Sequence, residues 1–367
     1  MKKSKVYFAD IRTGIKINFS EKIDNLLSSV KFDQRFGDKD IVAVKVDFAE
    51  EKDSSCISPD HLKKIAVKIR ALGATPFLTD TNSLDEGARG NAVSHILSAR
   101  QKGLDFSATR APIIIADGLK GENNRAVYIG GDYCDEVKIA GTISSADGII
   151  AVTHFKFDEL TGFAGALKSL GMGCAAREGK LAQYANLAPF VVRDECVGCA
   201  SCIRCCPTMA THMTGGRVSI EKEKCVGCGK CIIACPELAI KIRWEGRPIV
   251  EQNKMAEYAL GVIYNKRGKS VFMNFIIDVF PENSVKTDTP VIQDIGIAAS
   301  HDPVALDQAC VDLINGEKVE KESALKSGHE KGGDKFKDFY PETDWKTQLE
   351  TAEKIGVGSR KYELINL

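Results

Sequence analysis

The sequence has no surplus of charge of either sign. Fifty Lys and Arg are matched by fifty Asp and Glu over 367 residues. A nucleic-acid binder normally presents a basic face, so a polyanionic partner is not expected. No apolar run approaches the length of a membrane span, about 20 residues. The N-terminus, MKKSKVYFADIRTG, has an early pair of lysines but lacks an apolar h-region. It is therefore not read as a signal peptide, and the cytoplasm is the default compartment. Neither a G-x-G-x-x-G nor a Walker sequence is present, which removes the two commonest nucleotide fingerprints. What remains, 44% hydrophobic and 27% charged residues, is the composition of a folded globular protein with room for two cores.

Cysteine, by contrast, is plentiful: thirteen in all, nine of them between positions 196 and 235, and eight of those nine at a regular spacing. Cys196, Cys199, Cys202 and Cys206 stand at C-x2-C-x2-C-x3-C and are followed by Pro207. Cys225, Cys228, Cys231 and Cys235 repeat the spacing and are followed by Pro236. The two runs are offset by 29 residues throughout, with no gap, which makes them an internal repeat. Thiols at every third residue of a tight loop suit three corners of an iron–sulfur cubane. The fourth corner comes from farther away. In two-cluster ferredoxins the fourth cysteine of each run serves the other cluster. The expected sets are Cys196, Cys199, Cys202 with Cys235, and Cys225, Cys228, Cys231 with Cys206. Gly198 and Gly227 permit loop conformations that a Cβ would hinder.

Zinc needs only four ligands per site and gives no reason for the proline-closed doubling. Disulfides are not expected without secretion. Cys205 is the rival of Cys206, but in the repeat it aligns with Ala234, whereas Cys206 aligns with Cys235. The stretch resembles a bacterial-type two-cluster ferredoxin domain, over roughly 50 of the 367 residues. Cys56, Cys134, Cys174 and Cys310 are scattered and read as small buried hydrophobes.

On both sides of this stretch, apolar strands alternate with amphipathic helices. Lys5–Ile11, Ile41–Phe48, Thr75–Leu78, Ile113–Ala116, Ala126–Ile129, Gly148–Val152, Ser270–Val279 and Ile292–Ala298 read as strands. Helices are expected over Glu21–Val30 (capped by Ser20), from Ser58-Pro59 to Gly73, and over Ala92–Lys102. Others are expected over Val137–Ser145, Asn253–Tyr264, Val304–Ile314 and Trp345–Ile355. Glu317–Lys337 reads as a loop and Gly356–Leu367 as a closing arm. The fold class is α/β: a mostly parallel sheet with flanking helices, carrying an inserted two-cluster ferredoxin-like α+β domain. The divisions are 1–187 and 244–367 for the two parts of the α/β domain, and 188–243 for the insert.

Ligands of open α/β sheets sit beyond the carboxyl ends of the strands. The polar residues expected there are Asp47, Glu50, Asp80, Thr81, Asn82, Asp117, His154, Lys156, Asp294, His301 and Asp302. His154 ends an apolar strand with Lys156 two residues on, which suits a proton donor or a metal ligand, or equally a histidine bonded to a nearby loop. Asp80, Thr81 and Asn82 suit a cofactor contact or a plain Asx turn. Gly162 and Gly165 precede Lys168 at what reads as a helix start, where free N–H groups can hold a phosphate or carboxylate. Close packing is the other use for those glycines. Gly171–Cys174 with Arg177 and Lys180 reads as a tight loop with basic neighbours, just before the insert. His61, His95, His212 and His329 carry no functional assignment.

The runs IVAVKVDF, TDTN, ADGIIAVTHFK, TGFAGALKSLGMGCAAREGK and DIGIAASHDPVALDQACVDLI resemble the domain-of-unknown-function family three-six-two, over nearly the whole chain. Many members carry a ferredoxin domain at this place. The resemblance therefore implies the inserted architecture and an iron–sulfur redox role, but no reaction. Members often continue H-F-K with a glycine and a second histidine. Phe157 and Asp158 stand there instead, which weakens a His–His metal site and leaves a single His154 ligand.

Two functions follow as expectations. In one, two [4Fe–4S] clusters pass single electrons to a small-molecule substrate or to a second cofactor such as flavin, at the strand ends, in a low-potential reduction. In the other, the chain is an electron carrier or electron-transfer subunit that docks a partner oxidoreductase. A purely structural or sensing role for the clusters is less consistent with two complete motifs.

Overall fold

The computed structural model describes residues 3–12, 18–48, 57–84, 87–184, 189–225, 229–241, 248–266, 268–281, 289–325 and 331–367. Eight strands form one sheet: β1 Ser4–Asp10, β2 Ile41–Val46, β3 Thr75–Asp80, β4 Ile113–Ile115, β5 Gly148–His154, β6 Ser270–Ile276, β7 Gly296–Ser300 and β8 Tyr362–Asn366. Their order is β8-β1-β7-β6-β5-β2-β3-β4. The strands β6, β5, β2, β3 and β4 run parallel. Only β7 opposes its neighbours β1 and β6.

The apolar runs are continuous because both faces of these strands are covered. In β2, Val42, Val44 and Val46 point into one core, which the helices Phe19–Ser29 and Pro59–Ala71 close. Ala43 of β2, with Ile149 and Ala151 of β5, points into the other core. There the helices Ala166–Gly171, Pro248–Tyr264, Pro303–Asn315 and Lys346–Lys354 cover the sheet. The helix Pro59–Ala71 starts at a proline, buries Leu62, Ile65, Ala66 and Ile69 at helical spacing, and gives way to Gly73 at φ +81°.

Several expectations are corrected. Val137–Ser145 is a strand, Glu136–Ala140, followed by a five-residue helix, Gly141–Ser145. Val137 and Ile139 are buried two residues apart, the strand period, and the segment pairs with Asn124–Tyr128. The first helix is capped by Asn18 rather than Ser20: its Oδ1 accepts the Glu21 N–H at 2.9 Å. Ile292 and Ile295 are buried in the approach to β7, which itself begins at Gly296. The closing arm supplies β8, an edge strand parallel to β1.

The chain passes from β2 outward to β3 and β4, then returns to place β5 on the other side of β2. The strand order therefore reverses between β2 and β5, and the crevice at their carboxyl ends is the place such sheets offer a ligand. Because β7 is antiparallel, His301 and Asp302 lie at the opposite edge, a second correction. The imidazole of His301 meets the carbonyls of Ser270 and Val30, and Asp302 caps the helix Pro303–Asn315. Asp294, which precedes β7, stays at the carboxyl edge and accepts the Asp278 N–H.

Between β5 and β6 the chain builds a small separate unit. It has two antiparallel pairs, Phe190–Val191 with Ile240–Lys241 and Thr211–Thr214 with Arg217–Ile220, and two short helices, Ser201–Cys205 and Lys230–Ile233. Its own apolar core contains Cys202, Cys231, Cys235, Val218 and Ile240.

Candidate functional site

The 29-residue repeat in the cysteines recurs in the backbone. Ala200 and Gly229 both take left-handed φ, 59° and 68°, and so do Met209 and Leu238, at 54° and 55°. The Val192 N–H bonds to the Ala239 carbonyl at 2.7 Å, and the Glu221 N–H bonds to the Ala210 carbonyl at 2.8 Å. Each half thus pairs its leading strand with the other half's trailing strand. That exchange carries Cys235 of the second run back to the first: Cys196, Cys199, Cys202 and Cys235 line one pocket, with Ala200 and Val218.

The fourth cysteines are held alike. The Ala210 N–H donates to Cys206 Sγ at 3.2 Å, and the Ala239 N–H donates to Cys235 Sγ at 3.3 Å. Burial raises the Cys206 thiol, and donors from Thr208 and Thr211 outweigh it, holding it at about 7. Such a thiol gives up its proton readily. Cys205 turns elsewhere, with its Sγ on the Cys202 carbonyl at 3.3 Å. Cys228 and Gly227 lie outside the described residues, as do Cys56, Glu50 and His329. Among the described residues no three His, Cys, Asp or Glu gather closely enough for a single metal ion.

A second group of polar residues occupies the carboxyl ends of β2, β3 and β4. Asp80 ends β3 and is 3 % exposed. Its carboxylate meets Lys45 of β2 at 3.0 Å and His95 at 3.6 Å, and accepts the N–H groups of Thr81 and Phe48. Burial would raise this carboxyl, but Lys45, His95 and Arg89 together keep it well below the usual range. Burial likewise would lower Lys45, and Asp80, Cys174 and Asp47 reverse the sign. Thr81 donates to the Gly173 carbonyl at 2.9 Å. A Cβ on Gly173 would stand 2.9 Å from the Lys45 ammonium, so the glycine loop closes over that lysine.

Asn82 donates twice to Asp117 Oδ1, from its backbone and its side chain, at 3.0 and 2.9 Å. Asp117 is fully buried, and desolvation pushes its carboxyl up to about 6 against the pull of Lys180 and Arg177. Lys180 donates to the Asn82 carbonyl at 2.7 Å, and burial lowers it to about 8 although Asp80 and Asp117 oppose this. Two buried groups thus change charge on either side of neutrality.

Across the switch point, His154 ends β5, buried, and Lys156 opens a hairpin of Lys156–Asp158 with Gly162–Ala164. Lys156 is near enough to Asp47, just past β2, to act on it. Arg89, Lys156 and Lys45 hold the Asp47 carboxyl below the usual carboxylate range. Its side chain is 54% exposed, so this shift reports the local field rather than a stability contribution.

The structure thus brings together Asp80, Thr81, Asn82 and Asp117, with Asp47 beside Lys156 and His154 on the next strand. The glycine turn is separate and already filled. The Ala166 and Leu167 N–H groups at the helix start bond to the Asp307 carboxylate, each at 2.8 Å, and a Cβ on Gly165 would strike it at 2.4 Å. A Cβ on Gly162 would meet Trp345, and Lys168 pairs with Asp158. In this structure these three residues serve packing and an internal ion pair, the other of the two uses expected for the glycines. Lys45 and His95 were the residues that sequence reasoning missed. The usable signal was a lysine near the end of an otherwise apolar strand, where only an anion would make its burial tolerable.

The cysteine unit rests on this site. Its core includes Leu84, from the loop after β3, and Leu181, from the helix Arg177–Gln183 that carries Lys180.

Fold and site together define an α/β protein with a doubled cysteine unit set between two sheet strands. The family described as a domain of unknown function, DUF362, matches residues 42–312, and the chain belongs to that family. A comparison with curated proteins gave no match. Among solved structures, the lactate racemase apoprotein of Thermoanaerobacterium thermosaccharolyticum is similar at 15% identity and a TM-score of 0.41. The alignment takes in 85% of this chain and 58% of that one. A protein of Thermotoga maritima is similar at 12% identity and a TM-score of 0.41, over 93% and 60%. This chain spans about three fifths of the length of either. Among the described residues no helix is long and apolar enough to cross a membrane.

Proposed function

We propose that this is an iron–sulfur redox protein. Cys196, Cys199, Cys202 and Cys235 hold one [4Fe–4S] cluster, and Cys225, Cys228, Cys231 and Cys206 hold the other, in a ferredoxin-like insert. Bound there, the clusters supply single electrons at a potential set by charge, hydrogen bonds and exposure. The acceptor is a small-molecule substrate, or a second cofactor such as flavin, at the carboxyl ends of β2 and β5.

The observation that carries this reading is the matched backbone of the two repeats. The strand exchange brings Cys235 to the pocket of Cys196, Cys199 and Cys202, and a backbone N–H meets Cys206 and Cys235 alike. Zinc would need its ligands within one coordination sphere, with Zn–S near 2.3 Å. A cubane spreads its four thiolates over the corners of a larger body, and four cysteines share this pocket.

The large domain's own residues then have distinct tasks. Lys45 and Asp80 fix the floor of the site as a buried ion pair. Asn82 orients Asp117. His154 and Lys156 at the switch point, with Lys180 and Asp117 beside it, hold protons that an acceptor gaining electrons must take up.

The test is electron paramagnetic resonance of protein purified without oxygen and reduced with dithionite. Two interacting cubane signals are expected, and their absence refutes the proposal. A co-purified chromophore, or a small molecule that raises the melting temperature of the wild type but not of Asp80→Asn, places the chemistry in this chain. With neither, the chain serves as a carrier for a partner oxidoreductase.

A further inference from the structure

The two cysteine loops meet the rest of the chain differently. Gly229 in the second loop is buried, and a Cβ there would stand 2.3 Å from Leu181 Cδ1 and 3.7 Å from Arg177 Cγ. Its counterpart in the first loop, Ala200, keeps nearly the same backbone yet carries a methyl group. Next to Ala200, Val197 is 66% exposed and Cys199 is exposed. One loop is seated on the large domain and the other looks out.

The seat matters because of what it adjoins. Leu181 and Leu84 share one apolar core with Cys231 and Ile232 and also with Cys202, and it is at Gly229 of the second loop that the chain comes directly against Leu181. Lys180 immediately precedes Leu181, and Asn82 lies two residues before Leu84. The Lys180 ammonium ties the two elements together through the Asn82 carbonyl. The second loop and the strand-end polar group therefore both rest on the same short helix and loop.

Resting on the iron–sulfur reading, we propose that the loops work in a fixed order: the first faces outward and takes the electron, and the second serves the site at the strand ends. Each passage oxidises a soluble one-electron donor by one electron and reduces the acceptor at the strand-end site by one.

The test uses the holoprotein, prepared without oxygen and reduced. A soluble dysprosium chelate speeds the spin relaxation of paramagnetic centres near the surface. The centre lost in Cys199→Ser should respond strongly, and the centre lost in Cys231→Ser weakly. Equal responses, or the reverse order, overturn the proposal. Should a cysteine variant lose both centres, a charge change decides instead. Lys180→Met removes the buried cation next in sequence to Leu181, on which the second loop rests, and should lower the potential of one centre only, the one less sensitive to the chelate. Lys180→Arg should restore it. A shift in the chelate-sensitive centre, or in neither, overturns the order. Protein with no iron–sulfur centre at all removes the function itself, a result distinct from two centres in the wrong order.

Discussion

Cys205 and Cys206 are adjacent thiols with different surroundings. Cys206 Sγ receives the Ala210 N–H, as Cys235 Sγ receives that of Ala239, while Cys205 turns toward the Cys202 carbonyl. Cys206→Ser should therefore remove one cluster signal, and Cys205→Ser should leave both. The reverse would shift the register by one. Asp117 offers a test that needs no cluster. Its carboxyl is raised in the folded state from the usual 3.8 to about 6, so folding disfavours the charged form. That cost is absent below about pH 4, grows as the pH rises, and is complete above about pH 6, where linkage puts it at up to about 3 kcal/mol. Asp117→Asn keeps the acceptor for Asn82 and removes the charge. It should melt higher than the wild type at pH 7.5, with the gap closing by pH 4.5. A gap independent of pH would mean that the carboxyl is not strained.

At the scale of elements, the described parts of the two cysteine loops can be compared position by position. Gly229 and Ala200 share left-handed backbone, and a Cβ at Gly229 would meet Leu181. A methyl at 229 meets both a backbone penalty of about 1 kcal/mol and a crowded core. Gly229→Ala should cost about 1–3 kcal/mol in urea unfolding, whereas Ala200→Gly should cost nothing. Similar losses at both positions would contradict the seat. The helix start at Ala166 shows why a glycine turn reads two ways in the sequence. Gly-x-x-Gly before a helix is compatible with an anion site, and here the anion is the chain's own Asp307, 141 residues beyond Ala166. Nothing local announces a partner that distant.

For the molecule as a whole, the repeat and the parallel strands were legible because each rests on a short period: 29 for the cysteines, unbroken apolar runs for strands buried on both faces. The direction of β7 was not, since five buried residues between two neighbours read the same either way. That single reversal moved His301 and Asp302 to the far edge. Glu136–Ala140 was read as helical because Val137 and Ile139 run directly into Gly141–Ser145, which is a helix, and the strand period there spans only two buried positions. Lys45 was overlooked because a strand lysine is ordinarily solvent-facing, and its buried partner Asp80 belongs to another strand. That Asp80, Thr81, Asn82 and Asp117 lie together is legible because a parallel sheet gathers its strand ends whatever their exact register.

The central claim is that eight thiolates from two duplicated loops hold two cubanes. Iron and acid-labile sulfide, measured per chain on protein purified without oxygen, test it most directly. The account expects close to eight of each. Far fewer, or zinc in their place, would contradict it.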